Sequence, residues 1–279
     1  MAKILEKQVL RSDLVTAKIS APEIAKSAKA GQFVVIRVDD HGERIPLSLA
    51  AINPEEGTLG LIVMTVGVTS SKFAALNVGD EVLDVAGPMG HSTPIENYGR
   101  VALVGGGFGA APMYPIGKAL KTAGNTVTSI IGARSADLLI YEKELGEFSD
   151  RVLVSTDDGS KGHKGLVTEV LKDEIEKNGV DWVMAIGPAI MMKFVSLTTQ
   201  PYNVKTFVSL NPIMVDGTGM CGACRVSVGG KTMFGCTDGP DFDGHQVDWD
   251  LLMSRQRTYL NEEKVAMENY QCNCVPSVK

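Results

Sequence analysis

The apolar residues of this chain follow two different patterns, which meet near residue 99. Before that point they fall in short runs separated by Gly, Pro, Asn and Asp, with almost no helical periodicity. Clear examples are residues 33–38, 59–66 and 81–85. The pattern predicts a small antiparallel β-barrel, interrupted by one helix at residues 70–76 with Ser70 or Ser71 as its N-cap.

Beyond residue 99, short apolar strands alternate with amphipathic segments. Strands are expected at residues 101–104, 126–131, 152–155 and 182–186, and helices at residues 112–122 and 166–177. This alternation predicts a parallel sheet covered by helices. Leu166, Val170, Leu171 and Ile175 would form one apolar face of the second helix, which we interpret as facing the core.

The last quarter of the chain follows neither pattern over most of its length. Residues 211–240 are rich in Gly, Asp and Cys and cannot bury much apolar surface, so they need an internal staple such as a metal or a cluster. A helix is expected near residues 250–266. These changes divide the chain into a barrel over residues 1–98, an α/β domain over residues 99–208 and a small segment over residues 209–279.

Composition narrows the class of protein. With 279 residues, 44% of them hydrophobic, the chain can bury a substantial core. Its net charge of -6 and its lack of a long Lys/Arg run argue against nucleic acid as a partner. Charges interrupt every apolar stretch well short of membrane-spanning length, and the N-terminus lacks the apolar core of a signal peptide. We therefore expect no membrane contact and a cytoplasmic location.

A glycine-rich turn follows the strand at residues 101–104 and opens a helix. Gly105, Gly107 and Ala110 satisfy the pattern G-x-G-x-x-G/A, in which glycines let backbone amides approach a pyrophosphate at a helix N-terminus. The same turn contains Gly106, Gly109 and Pro112. The turn predicts a dinucleotide-binding site.

The second strand of this domain ends at Arg134, where NAD-binding folds usually place Asp or Glu. Arg134 could accept a 2′-phosphate, pair with the pyrophosphate or be solvated, so the choice between NAD and NADP stays open. Two further turns follow later strands. Asp157 and Asp158 could bind sugar hydroxyls or belong to a solvated turn, and Gly187 and Pro188 would line the same edge of the sheet.

All five cysteines lie in the last quarter, and an odd number in a reducing compartment fits a disulfide framework poorly. Asp216, Cys221, Cys224 and Cys236 match the C-x4-C-x2-C spacing of plant-type [2Fe–2S] sites with a distant fourth ligand, except that Asp216 holds the first position. Small residues between them allow tight turns, namely Gly217, Gly219, Gly222 and Ala223. A structural zinc site and three inert buried thiols remain open as other interpretations.

Taken with the run Arg44-Ile-Pro-Leu-Ser48, the glycine turn and the cysteine loop resemble the ferredoxin–NADP reductase superfamily, in the branch of the dihydroorotate dehydrogenase electron-transfer subunits. The resemblance spans essentially the whole chain. It implies an antiparallel FAD-binding barrel, a Rossmann-like nicotinamide domain and a small C-terminal [2Fe–2S] segment.

The resemblance also implies site residues. In this family an Arg-x-x-Ser/Thr strand lies against the flavin, which assigns FAD-binding roles to Arg44, Pro46, Leu47 and Ser48. A flavin-side turn would contain Met64, Thr65, Val66, Gly67, Thr69 and Ser70, and a barrel-closing turn would contain Gly87 and Gly90. Ile186 stands where the wider family often has cysteine.

Asp216 limits which members of the superfamily the chain resembles, because the dihydroorotate branch has four cysteine ligands for its cluster. An Asp-Cys-Cys-Cys set is similar to the small subunits of NADH-dependent reduced ferredoxin:NADP oxidoreductases and sulfide dehydrogenases. That implies a heterodimer in which FAD exchanges hydride with NAD(H), and the cluster passes electrons to a bifurcating flavin in a large iron–sulfur flavoprotein subunit. The complex would serve ferredoxin and NADP(H), and no catalytic side chain beyond the cofactors is implied.

Two alternatives accompany this hypothesis. In the first, the partner subunit oxidises dihydroorotate. In the second, the chain is a non-catalytic assembly subunit that is stabilised by zinc at the cysteine loop.

Overall fold

The computed structural model describes residues 1–274, and it folds them around two seven-stranded sheets and a two-stranded hairpin. The first sheet is antiparallel and forms a near-barrel, with strand order β6-β1-β2-β5-β4-β3-β7. Its strands are β1 (Ala2–Arg11), β2 (Leu14–Ser20), β3 (Phe33–Arg37), β4 (Arg44–Asn53), β5 (Thr58–Met64), β6 (Glu81–Val82) and β7 (Asp84–Met89). Two short helices accompany them, α1 (Pro22–Ser27) and α2 (Val68–Ala75).

The helix α2 begins two residues earlier than the sequence predicts. Its N-cap is Gly67, so the expectation of Ser70 or Ser71 at that position is wrong. Ser70 lies inside the first turn, where its Oγ accepts hydrogen bonds from the backbone N–H groups of Gly67 and Val66, at 3.0 and 3.1 Å. A serine in the first turn can thus accept hydrogen bonds from backbone N–H groups at the start of the helix without being the N-cap residue itself.

The second sheet is parallel except at one edge and has the order β11-β10-β9-β8-β12-β13-β16. Its strands are β8 (Arg100–Gly106), β9 (Thr126–Ala133), β10 (Arg151–Thr156), β11 (His163–Lys164), β12 (Trp182–Ile186), β13 (Lys205–Ser209) and β16 (Asp241–Asp243). The helices are α3 (Ala110–Thr122), α4 (Glu142–Gly146), α5 (Val167–Asn178) and α6 (Ala189–Thr199). Separate apolar clusters cover the two faces, with α3 and α4 on one and α5 and α6 on the other. The predicted fold class is confirmed.

Within α5 the apolar face is mostly as predicted. Leu171 and Ile175 are buried in the core, but Leu166 is 55% exposed, because it is the N-cap and precedes the helix. The sequence analysis also missed α6 and β13. The helix α6 is apolar on most of its surface and therefore lacks the one-sided pattern by which an amphipathic helix is recognised.

The last part of the chain packs against the second sheet. A hairpin of β14 (Arg225–Val228) and β15 (Lys231–Phe234) shares a core with α5 and α6, and the strand β16 extends the sheet antiparallel to β13. The single helix predicted near residues 250–266 is in fact two, α7 (Trp249–Gln256) and α8 (Leu260–Cys274). No helix among residues 1–274 is both long and apolar enough to cross a membrane.

Asp241 lies where the barrel, the parallel sheet and the last segment meet. Its Oδ2 accepts a hydrogen bond from the Thr93 hydroxyl, while its Oδ1 is buried and has no hydrogen-bond partner among the described residues. Burial raises the pKa of Asp241 to about 7, although the hydroxyls of Thr93 and Ser209 oppose the rise. The carboxyl therefore keeps its proton in the folded state where an exposed aspartate has lost it.

This raised pKa predicts a pH-dependent stability. The ordinary value is 3.8, so between about pH 4 and 7 the folded state holds a proton that the unfolded state has released. The stability that this group contributes is complete below about pH 4 and is lost as the pH rises toward 7. The Asp241→Asn variant cannot ionise at this position and so does not lose this stability as the pH rises. The difference in free energy of unfolding, variant minus wild type, should increase by roughly 2–3 kcal/mol from pH 5 to pH 8.

Urea unfolding of both proteins at pH 5 and pH 8 measures this difference. A suitable control is Asp250→Asn, because Asp250 pairs with Lys193 at the surface with its side chain 85% exposed. Parallel pH profiles for wild type and Asp241→Asn would contradict the assignment.

Candidate functional site

The glycine-rich turn lies at the topological switch point of the second sheet. The strand β8 sits between β9 and β12, so the chain leaves it on one side and later returns on the other. In open α/β sheets, ligands bind in the crevice at this point, outside the carboxyl ends of the strands. After β8, a short 3-10 turn over Gly107–Gly109 leads into α3, whose N-terminus faces the crevice end of the sheet.

The glycines of this turn have two different roles. A Cβ on Gly109 would lie 2.2 Å from the carbonyl oxygen of Ile186, and one on Gly187 would lie 3.1 Å from the Cα of Gly106. These positions must be glycine because the turns after β8 and β12 touch through their backbones. Gly107, by contrast, has a φ of +56°, and an added Cβ would meet nothing within 4 Å. The turn is packed on its inner side and open on its outer side, which is what a bound pyrophosphate requires.

The residues predicted at the ribose end also come together. The backbone N–H of Asp157 donates to the Ala133 carbonyl, and that of Asp158 donates to the Arg134 carbonyl, each at 3.1 Å. The side chains of Arg134, Asp157 and Asp158 are exposed at this edge. Hydrogen bonds from the Ser160 hydroxyl and backbone hold the pKa of Asp158 below its usual range, so this carboxylate is charged at neutral pH.

The predicted flavin residues lie on neighbouring strands of the barrel. Arg44, Pro46, Leu47 and Ser48 belong to β4, and Met64 ends the adjacent strand β5. Ser48 pairs with Phe33 of β3, and Phe33 pairs in turn with Met89 of β7. Gly87 lies in β7, and Gly90 follows it with a φ of +71°. The three flavin segments therefore come from one continuous part of the sheet.

The barrel side of the site offers a cation and open space. Arg44 is exposed and forms no ion pair within residues 1–274. A Cβ on Gly67 would meet nothing within 4 Å, and Val66 beside it is 72% exposed. An unpaired guanidinium and an open glycine turn fit a phosphate-bearing cofactor by the chemistry of their groups.

The nucleotide turn and the flavin strand are in direct contact. Ala111, in the first turn of α3, is fully buried and packs against Ala50 of β4 and Ile62 of β5. The helix that would receive the pyrophosphate therefore rests on the strand that carries the predicted flavin residues. A nicotinamide at the switch point and a flavin on β4 would be neighbours.

The cysteine loop arranges its donors as two pairs. The Sγ atoms of Cys224 and Cys236 are 3.2 Å apart and both residues are buried. The Asp216 carboxylate accepts a hydrogen bond from the Thr218 N–H at 2.9 Å and also hydrogen-bonds Cys221; these bonds hold its pKa below the usual range. Burial, followed by the Cys224 thiol, raises the pKa of Cys236 to about 11.

The pairing of these four donors can be compared with the ligands that a metal group requires. A binuclear cluster takes two protein ligands at each iron, and the pairs Asp216/Cys221 and Cys224/Cys236 match that demand. The donor set therefore fits a [2Fe–2S] group.

The cluster loop packs directly on the barrel. Cys224 and Cys236 share an apolar cluster with Phe33 and Val35 of β3. A Cβ on Gly217 would lie 2.4 Å from the Sδ of Met89, so this position has to be glycine for the loop to lie so close to the barrel. Because Phe33 pairs with Ser48, a single strand separates the thiols from the flavin strand, and adjacent strands are only about 4.8 Å apart.

Several residues of this site were missed by the sequence analysis. Phe33 and Val35 line the cysteine pair, and Met191 covers the turn after β12, with its Cε 2.8 Å from the position of a Cβ on Gly187. One signal was available for β3, whose uninterrupted apolar run indicates burial on both faces. For Met191 there was none, since α6 itself was not recognised.

Two family models match the chain in the regions just described. The model for the "Oxidoreductase NAD-binding domain" matches residues 103–197, which include the glycine turn. The model for the "Iron-sulfur cluster binding domain of dihydroorotate dehydrogenase B" matches residues 211–248, which include all four predicted ligands. These matches confirm the predicted NAD-binding oxidoreductase domain and the predicted iron–sulfur domain.

Solved structures share the fold. A structure of an NADH-dependent reduced ferredoxin–NADP oxidoreductase, described in terms of flavin-based electron bifurcation, is 48% identical, has a TM-score of 0.92 and covers 97% of this chain and 98% of its own. A ferredoxin NADP+ reductase from Neisseria gonorrhoeae, with bound FAD and NADP, is 21% identical with a TM-score of 0.57 over 72% of this chain and 90% of its own, which shows a common fold only.

Curated relatives match over most of their length. The dihydroorotate dehydrogenase B (NAD(+)) electron transfer subunit homolog of Thermotoga maritima is 49% identical, covering 96% of this chain and 95% of its own. The dihydroorotate dehydrogenase B (NAD(+)) electron transfer subunit of Clostridium perfringens is 33% identical over 79% of this chain and 87% of its own. The chain therefore belongs to the family of dihydroorotate dehydrogenase B-type electron-transfer subunits.

Proposed function

We propose that this chain is an FAD- and [2Fe–2S]-containing subunit that exchanges hydride with NAD(H) and relays single electrons to a large flavoprotein subunit. The observation that carries the proposal is the arrangement around β3 and β4. The nucleotide helix α3 packs against β4 through Ala111, while the cysteine pair packs on β3 next door. Three carriers would thereby lie in sequence without a mobile element between them.

The nucleotide would lie over the turn from Gly105 to Pro112. Gly109 keeps the turn tight against β12, and Gly105 keeps it tight against Met113 of α3, while Gly107 leaves its outer side open. Ala110 and Pro112 begin α3, whose free backbone N–H groups would stabilise the pyrophosphate. Gly187 and Pro188 would form the opposite wall of the crevice. We propose that Asp157 and Asp158 bind the sugar hydroxyls, with Arg134 at the same edge. The two carboxylates would repel a 2′-phosphate, which favours NAD(H) over NADP(H).

The flavin would lie on β4 between the two domains. Arg44 would pair with its phosphate groups, and Pro46, Leu47 and Ser48 would line the ring. The turn after β5 and the start of α2 would complete the pocket with Met64, Thr65, Val66, Gly67, Thr69 and Ser70, and Gly87 and Gly90 would close it from β7. When bound, a flavin supplies the conversion between a two-electron hydride and single electrons. The side chains themselves bind, orient and exclude water.

The cluster would be held by the two donor pairs, Asp216 with Cys221 and Cys224 with Cys236. The second pair is buried against the barrel, whereas Cys221 is exposed and Met220 beside it is 85% exposed. The exposed half of the loop would therefore face the partner. We also propose that the chain divides after residues 98 and 208 into an FAD module, a nucleotide module and a cluster module.

The proposed partner is a large iron–sulfur flavoprotein subunit that carries out electron bifurcation and serves ferredoxin and NADP(H). Support comes from the 48%-identical structure, whose description names that activity, and from Asp216 at the first ligand position. A dihydroorotate-oxidising partner is the second candidate, because relatives such as the 33%-identical Clostridium perfringens subunit carry that name. Co-purification of the native complex, followed by assays with dihydroorotate and with reduced ferredoxin plus NADP, separates the two.

The first experiment is anaerobic purification with quantification of flavin, iron and zinc, and visible spectra before and after NADH. The proposal expects one FAD, about two irons per chain and bleaching by NADH. Zinc without iron, no flavin and no response to NADH would overturn it in favour of an assembly subunit.

Gly109→Ala tests the nucleotide site. The added methyl would press on the Ile186 carbonyl and the Gly187 Cα, at 2.2 and 3.0 Å, and would force the two turns apart. Moving the turn would cost the pyrophosphate a backbone N–H hydrogen bond, worth about 1.5–3 kcal/mol to a charged group, so NADH binding should weaken by roughly 10- to 150-fold. Titration of NADH against flavin absorbance measures the Kd. The matched control is Gly146→Ala, where a Cβ meets nothing within 4 Å; equal affinity of the two variants would contradict the site.

Asp216→Cys tests the ligand set. A carboxylate is a harder ligand than a thiolate and favours ferric iron, so we expect the all-cysteine variant to have a higher reduction potential and an altered EPR spectrum of the reduced cluster. Redox titration with EPR detection measures both. The control Asp173→Asn removes an exposed carboxylate from the surface of α5 and should change neither. An Asp216→Cys protein with the wild-type potential and spectrum would exclude Asp216 as a ligand.

A further inference from the structure

The loop between Cys221 and Cys224 is held from outside by two arginines. The Arg255 Nη2 donates to the carbonyl oxygen of Ala223 at 3.0 Å, and the Arg225 Nη1 donates to the carbonyl oxygen of Gly222, also at 3.0 Å. Two successive peptide groups of the loop are therefore fixed by charged donors. Hydrogen bonds from charged groups are about twice as strong as those between neutral groups.

Of the two, Arg255 comes from a separate element. Arg225 adjoins Cys224 in sequence and is exposed, so it moves with the loop. Arg255 lies in the last turn of α7, which falls outside residues 211–248 of the iron–sulfur family match. It reaches the loop across 32 positions of sequence and is partly buried there.

The helix α7 is itself firmly anchored. Trp249 and Leu252 are buried, and the Trp249 Nε1–H donates to the Gly244 carbonyl at 3.1 Å. Asp248 caps the helix by accepting from the Leu251 N–H. Asp250 pairs with Lys193 of α6 at 2.7 Å. Arg255 thus connects the cluster loop to a helix that is fixed on the nucleotide domain.

Anchoring a carbonyl also orients the N–H of the same peptide group. In a trans peptide the C=O and N–H bonds point in opposite directions. With its carbonyl directed to Arg255, the Ala223 peptide turns the N–H of Cys224 away from the arginine. N–H groups that face the sulfurs of an iron–sulfur cluster raise its potential, and so does a nearby positive charge, since reduction adds negative charge.

We propose that Arg255 is a positioning residue for the cluster, which fixes the loop between Cys221 and Cys224 through the Ala223 carbonyl and raises the reduction potential of the cluster. The inference rests on the proposed function, because it takes Cys221 and Cys224 as cluster ligands. It adds a role for α7, which would couple the cluster loop to α6 and the nucleotide domain.

The test uses the anaerobically purified full chain with its cluster, in four forms: wild type, Arg255→Gln, Arg255→Lys and Arg257→Gln. Arg257 is the matched control, because it is exposed just beyond α7 and its loss changes the net charge equally. The readouts are the cluster potential from a dye-mediated redox titration and the EPR spectrum of the reduced cluster, neither of which depends on turnover.

We expect Arg255→Gln to lower the equilibrium constant for reduction about tenfold, which is a shift of about 59 mV for a one-electron couple, with altered EPR values. Arg255→Lys keeps the charge but not the planar fork, so its shift should have the same sign and be smaller. Arg257→Gln should match wild type. If Arg255→Gln loses its cluster, the shift in Arg255→Lys together with an unchanged Arg257→Gln still supports the inference.

Wild-type potential and EPR spectrum in both Arg255 variants would overturn the inference and leave the proposed function standing. An equal shift in Arg257→Gln would also overturn it, because the effect would then be general charge. A wild-type protein without an iron–sulfur spectrum would instead overturn the proposed function, and the inference with it.

Discussion

The segment from Cys236 to Asp243 is the constraint on which the arrangement of the barrel, the parallel sheet and the cysteine loop depends. Its first residue belongs to the buried cysteine pair. The Gly239 carbonyl then accepts from the His91 N–H of the barrel at 2.6 Å, and the Pro240 carbonyl accepts from the Leu210 N–H at 2.9 Å. The strand β16 completes the parallel sheet beside β13. Eight residues thus contact the barrel, the parallel sheet and the cysteine loop, so this loop cannot shift without disturbing both neighbours.

Fixed spacing of this kind is what an electron-transfer subunit needs. Here glycines allow close contact at two places, against backbone near the nucleotide turn and against side chains of the barrel near the cysteine loop. At the nucleotide end, Gly109 and Gly187 let two turns meet without side chains between them; at the cluster end, Gly217 lets the loop approach Met89 of the barrel. These positions do not tolerate larger residues, because an added side chain would have to displace backbone at Gly109 and Gly187 or the partly buried side chain of Met89 at Gly217.

Local signals in the sequence were sufficient for the parts of the site that are built from contiguous residues. The glycine turn after β8 and the spacing of Asp216, Cys221 and Cys224 each lie within about ten residues, so both patterns can be recognised in the sequence. Contacts made across the fold left no such trace. Phe33 reaches the cysteine pair and Arg255 reaches the Ala223 carbonyl only because of how sheets and helices pack, and that packing is not periodic in sequence. The apolar helix α6 was hidden for the related reason that it has no polar face.

The two donor pairs of the cluster loop differ in environment as well as in chemistry. Cys224 and Cys236 are buried on the barrel side, where a low-dielectric setting disfavours added charge. Cys221 is exposed and Asp216 is partly exposed, so water and a partner can compensate charge there. As a ligand, the hard carboxylate of Asp216 would favour ferric iron and so oppose the effect of this solvation. With the proposed ligands, Asp216 would therefore oppose the easier reduction of iron in the exposed half. The two irons would then differ less in their ease of reduction than with four cysteine ligands in the same loop. A balanced cluster suits a relay, which has to accept an electron on one side and release it on the other.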